Sequence, residues 1–161
     1  MKILLIITLL FKTFFQPIDV IFVGGLDGAG YKSLNEQVTI FKNGFGKDKS
    51  IMAFRYNDSS SEIINAITKN KSAKVVLFSA GCRHAVQILK RKSIDPNRIW
   101  MIEPYAPNPK LSAAIEGSDI PKTNIYVGTT QSRGKGIAAG VLSSKSPGHW
   151  ASLENVAKQI K

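Results

Sequence analysis

Cysteine occurs once, at Cys82, so the chain can form no internal disulfide and no cysteine-built metal site. Histidine occurs twice, at His84 and His149, which limits the imidazoles available for acid–base chemistry near neutral pH. Acidic residues are scarce: 11 Asp and Glu stand against 22 Lys and Arg, a formal net charge of +11. The excess is scattered as single lysines from Lys42 to Lys161, a pattern that favours general attraction to anionic lipid, cell-wall polymer or nucleic acid over one dedicated site. Basic residues interleaved with aromatics are lacking, and so is any recognisable nucleic-acid module. Specific nucleic-acid reading is therefore not expected. The apolar run Ile3 to Phe11 is too short to span a bilayer as a helix.

What is present fits a globular chain. With 161 residues, 43% of them hydrophobic, it can bury one core, and a single α/β domain over 1–161 is expected. Two readings of the opening segment stay open. Lys2 and the apolar run after it resemble a signal or anchor within 1–16, which would make the protein exported or membrane-associated. Alternatively Ile3 to Leu10 is a first strand, and the protein is cytoplasmic.

The chain is organised around Val75 to Leu89. Val75 to Phe78 is a continuous apolar run of the kind that forms a doubly buried strand, and from Ala80 onward Ala85, Val86 and Leu89 fall at helical spacing. Ser79 stands at the joint, held clear of both elements, and Gly81 removes a side chain where strand and helix would collide. Upstream, Val20 to Val23 is a second buried strand that runs into the glycine-rich loop Gly24 to Gly30. The loop has neither the Lys-Ser/Thr register of a phosphate loop nor the glycine order of a dinucleotide fingerprint, but its amides can approach a ligand closely.

Tyr31 to Phe41 is expected as a helix broken at Asn43-Gly44, and Ser50 to Arg55 as a strand. A helix follows to about Lys69 on the stripe Ile63, Ile64 and Ile67, opened by a capping box between Ser59 and Glu62. Beyond the central stretch come a strand Arg98 to Ile102, a short helix Leu111 to Glu116, a strand Asn124 to Thr129 and a last helix Ala151 to Ile160. The alternation implies a three-layer sandwich with a mostly parallel central sheet, whose sites lie at the carboxyl ends of the strands.

Gly25, Ser79 and Glu103 all fall at such ends. His149, after Pro147 and Gly148, is the base candidate that can reach over them, whereas His84 faces away, with solvent exposure or a local contact as its default. Glu103 can hold the His149 ring, with Asp119 and Glu116 as rivals; the bland alternatives are that Glu103 pairs with a lysine and that His149 merely begins a helix. Leu26 N–H, exposed after tight glycines, would be an oxyanion donor. Gly25, Arg133 and Lys135 would contact substrate, the last two from a polar loop after the strand Asn124 to Thr129. A cysteine enzyme using Cys82 near His84 is the runner-up chemistry.

These features resemble the α/β-hydrolase superfamily of lipases and esterases. Val20 to Leu26 is similar to that family's strand and oxyanion loop, Leu77 to Gly81 to its G-x-S-x-G elbow, and Gly148-His149 falls where its histidine comes. The order nucleophile, acid, base is also the family's. Leu77 departs from the pattern, standing where the family carries glycine. The resemblance implies hydrolysis of a carboxylic ester by a Ser79–His149–Glu103 triad, with the oxyanion on Leu26 N–H and Ala80 N–H and without metal or cofactor, on a substrate that is soluble or presented by an anionic membrane or cell envelope. The other class left open is a non-catalytic binding or structural protein on the same fold. Oligomeric state is not readable.

Overall fold

The computed structural model describes residues 16–27, 30–104, 109–127, 141–142 and 149–160. Six strands form one sheet: β1 (Val20–Val23), β2 (Ile51–Phe54), β3 (Lys74–Phe78), β4 (Ile99–Ile102), β5 (Ile125–Val127) and β6 (Val141–Leu142), in the spatial order β2-β1-β3-β4-β5-β6. Every pairing is parallel. The helices are α1 (Leu34–Phe45), α2 (Ser60–Lys69), α3 (Ala85–Ile88), α4 (Pro109–Glu116) and α5 (His149–Ala157).

Side chains alternate across the sheet because strand periodicity is two. Ile21, Val23, Val75, Leu77, Ile99 and Met101 point to one face, where Ile63 and Ile67 of α2, Ala85 and Ile88 of α3, and Leu111 and Ile115 of α4 cover them. Val20, Phe22, Val76, Phe78 and Ile102 point to the other, under Phe41 of α1 and Leu153, Val156 and Ala157 of α5. The result is a three-layer α/β architecture with two cores. The strand order reverses direction between β1 and β3, and the carboxyl ends of these two strands flank the crevice in which doubly wound sheets bind ligands.

Several elements differ from expectation for identifiable reasons. The helix expected over Tyr31 to Phe41 begins at Leu34, because Ser33 is its N-cap: Ser33 Oγ accepts from Glu36 N–H and Glu36 Oε2 accepts from Ser33 N–H, a full capping box. It then runs through Asn43-Gly44 to Phe45. A glycine inside a helix costs about 1 kcal/mol, but at Gly44 a Cβ would collide with the backbone carbonyl of Glu154 and come within 2.9 Å of Ala157 Cβ. Gly44 is where α1 and α5 cross, and packing overrides propensity.

At α2 the expected box is absent, since the Ser59 hydroxyl accepts from Ser61 N–H. Arg98 lies in a 3₁₀ turn (Pro96–Arg98) rather than in β4, and its guanidinium donates to the carbonyls of Ile67, Asn70 and Lys71 at the end of α2. The segment after β3 is a 3₁₀ turn, Ser79–His84, before the single α-turn of α3; Ala85 and Ile88 are its buried positions, with Val86 and Leu89 partly buried. The short strand β6 lies within a stretch expected only to be small and apolar. His149 is the first residue of α5, not part of the loop before it. The opening segment 1–15, Thr129, Arg133, Lys135 and Gly148 lie outside the described residues.

Candidate active site

Ser79 follows β3 with φ +52°, and Glu103 follows β4 with the same value; among the described residues they are the non-glycine positions at positive φ. Such a conformation costs about 1 to 3 kcal/mol and persists only where surroundings enforce it. The register pairs Phe78 with Ile102, so both strained residues leave neighbouring strands at the same level. Enforcement at Ser79 comes from close backbone approach. A Cβ on Gly25 would stand 2.8 Å from Ser79 Cβ and 3.3 Å from its Oγ, and a Cβ on Gly81 would strike the carbonyls of Val23 and Gly24. Leu77, where glycine was expected, is fully buried between Val23 and Met101 and leaves the turn formed.

Ser79 lines a cavity of about 330 Å³ with Gly25, Leu26, Gly30, Tyr31, His149 and Trp150. The His149 ring lies 4.8 Å from the Phe78 ring and 5.4 Å from that of Trp150, wedged between aromatics. Its Nδ1 is buried and has no hydrogen-bond partner among the described residues. Burial holds the His149 pKa below the ordinary histidine value, and the nearby charge of Glu103 acts in the opposite direction. Among the described residues no hydrogen bond joins Ser79 or Glu103 to His149. The Glu103 carboxyl is fully buried, and the Glu103 amide donates to the Tyr126 carbonyl at 2.8 Å. Lys32 Nζ sits 5.8 Å above the ring of the lining residue Trp150, and Tyr31 is an exposed aromatic.

The loop before the cavity is held by Gln37, a buried residue of α1. Its Oε1 accepts from Gly25 N–H at 2.8 Å, and its Nε2 donates to Leu26 O at 3.2 Å and Lys32 O at 2.8 Å. The amides of Leu26 and Ala80 donate to no other described residue.

Among the described residues a Ser–His hydrogen bond occurs elsewhere. Ser60 Oγ and His84 Nδ1 are 2.7 Å apart, and His84 Nε2 is 2.7 Å from the Tyr56 carbonyl. A carbonyl only accepts, so Nε2 carries the proton, Nδ1 accepts, and the Ser60 hydroxyl donates. His84 is thus buried, not solvent-exposed, and burial lowers its pKa. This pair has the Ser–His part of a catalytic dyad, without an Asp or Glu bonded to the ring.

Cys82 is fully buried, its thiol donates to Leu77 O at 3.1 Å, and burial pushes its pKa up, away from the thiolate form that a nucleophilic cysteine uses. Of the rival acids, Asp119 and Glu116 lie beside the end of α4, away from the lining of the cavity. Among the described residues no cluster of His, Cys, Asp and Glu could hold a metal, and no helix is long and apolar enough to cross a membrane.

Sequence reasoning missed Gln37, Tyr31, Trp150 and Ser60. Gln37 carried a visible signal: it occupies an apolar-face position of α1, between Leu34 and Phe41 and beside Val38, where a polar side chain needs buried partners. The chain is a parallel-sheet α/β domain by its structure; comparison with models of protein families, with curated proteins and with solved structures found no match.

Proposed function

We propose that the protein is a serine hydrolase of carboxylic esters, with Ser79 as nucleophile, His149 as general base and Glu103 as the acid that steadies the imidazolium. The observation that carries this is Ser79, held at φ +52° in the wall of a cavity that His149 also lines. His149 takes the Ser79 Oγ proton as the oxygen attacks the ester carbonyl. The tetrahedral oxyanion rests on Leu26 N–H and Ala80 N–H, His149 returns the proton to the leaving alkoxide, and water repeats the sequence to release the acid. Low basicity keeps His149 neutral, hence competent, at neutral pH.

A cavity of about 330 Å³ is of a size to take a small acyl group, against the lining aromatics Tyr31 and Trp150. The net charge of +11 favours esters on an anionic membrane or cell envelope, and Arg133 and Lys135 belong to the same proposal as contacts to that anion.

A second reading puts the nucleophile at Ser60, on the strength of its 2.7 Å bond to His84. A fluorophosphonate probe followed by peptide mapping separates the two. Label on Ser79 supports the first reading and label on Ser60 the second; labelling of neither, with no ester turned over, leaves a binding protein on the same sheet.

A further inference from the structure

We infer that Gln37 is a positioning residue that presents the Leu26 amide to the oxyanion, an inference that rests on the hydrolase reading of this cavity. A side-chain amide has two donor hydrogens and an acceptor oxygen, and here the partners dictate which end is which: Gly25 offers an N–H, and Leu26 and Lys32 offer carbonyls. The peptide group before Gly25 is therefore tethered through its N–H, and the one after Leu26 through its C=O. Between them lies the peptide that carries Leu26 N–H. Both of its flanking peptides are bound to one buried side chain, so its orientation is fixed before substrate arrives.

The tether also decides which donor is available. Gly25 N–H is consumed by Gln37 Oε1 and cannot serve the oxyanion, whereas Leu26 N–H is left over beside Ser79. Fixing a donor in advance lowers the barrier because no reorganisation is needed when charge develops; loss of one oxyanion donor typically costs about 10²- to 10³-fold in kcat. Gly24 belongs to the same device. A Cβ there would stand 2.8 Å from Gln37 Oε1 and 2.8 Å from Leu34 Cδ1, so glycine lets the amide sit against the loop.

The test compares wild type, Gln37→Met and Gly24→Ala, with Val38→Ala on the same helix as a control for lost stability. The expected result is a fall in kcat of about 10- to 100-fold in Gln37→Met with KM within about threefold. Affinity for an alkyl boronic acid, which forms a tetrahedral adduct on serine, should fall in parallel, while affinity for the product carboxylate should not. Gly24→Ala, which displaces Gln37 without removing it, should show the same split to a smaller degree, and Val38→Ala should show none. If Gln37→Met does not fold, the Gly24→Ala split decides. A folded Gln37→Met or Gly24→Ala variant with wild-type kcat, or with boronate and product affinities lost equally, overturns the positioning role alone. A wild type in which Ser79 takes neither fluorophosphonate nor boronate overturns the hydrolase reading and this inference with it.

Discussion

Two serine–histidine neighbourhoods lie on this fold, and they are built to opposite rules. At Ser60 and His84 every polar atom of the pair is satisfied: the ring is locked between a hydroxyl and a carbonyl, and the serine sits in the first turn of an ordinary helix. At Ser79 and His149 the serine backbone is strained, the histidine Nδ1 is buried without a partner among the described residues, and both residues line a cavity. Satisfied groups lower the energy of the folded state, whereas strain and unmet hydrogen-bonding capacity raise it and are sustained by contacts elsewhere. The proposed mechanism assigns the chemistry to the imperfect neighbourhood, and the satisfied pair fastens α2 to the turn after β3.

The largest effect expected from this contrast is on turnover. Ser79→Ala and His149→Ala should each lower ester hydrolysis by about 10³-fold or more, and the double variant should cost little beyond either, because members of one catalytic unit are not additive. Ser60→Ala should stay within about threefold of wild type, since a hydroxyl outside the reaction path contributes only to stability. The reverse order in steady-state assays would break the comparison. Next, Glu103→Gln should reduce kcat about 10²-fold while the fold is retained, the loss of a charge that favours the imidazolium. Activity kept in that variant but lost in Asp119→Asn would move the acid off β4.

For stability the ranking inverts. His84→Ala leaves the Tyr56 carbonyl and the Ser60 hydroxyl without their partner and should cost about 2 to 3 kcal/mol in denaturant unfolding, and Ser60→Ala about 1 kcal/mol. Ser79→Ala should fall below both.

The smallest effect is in pH. Burial depresses the pKa of both histidines in the folded state. An unfolded chain takes up these protons near pH ~6.5, so it binds more protons than the folded chain just below that value. The stability associated with both rings is fully present above ~6.5 and declines as pH falls through the depressed folded values. The acid limb of kcat/KM should likewise lie below ~6.5, and His84→Gln should flatten the stability slope without moving the limb. A limb that moves with His84 would assign the wrong histidine to catalysis.

Much of the sheet was legible because parallel strands buried on both faces read as unbroken apolar runs; Val20–Val23 and Ile99–Ile102 are cases. That Gly25 and Ser79 both end strands of the sheet was legible from the apolar runs before them; that they touch was not. What escaped depended on partners distant in sequence. Asn43-Gly44 reads as a helix stop until α5 is seen to cross there, and Arg98 reads as strand until the end of α2 supplies carbonyls for its guanidinium. Ser33 and Glu36 carried a box signature as good as that of Ser59 and Glu62, and local spacing alone could not choose between them. His84 escaped because nothing in the sequence links it to Ser60 across 24 residues.

The crossing at Gly44 has a mechanical consequence. Helix α1 holds the glycine loop through Gln37, and α5 begins with His149; the crossing joins these two helices into one layer lying over the sheet that bears Ser79 and Glu103. In the proposed mechanism the base His149 and the Leu26 amide therefore ride together on one plate, and Ser79 and Glu103, with the Ala80 amide, on another. A change in the gap between plates moves the first pair in concert relative to the second. Gly44→Ala, far from the cavity, should tilt the upper plate and slow acylation and deacylation by the same factor, as a shimmed hinge shifts every point of a door.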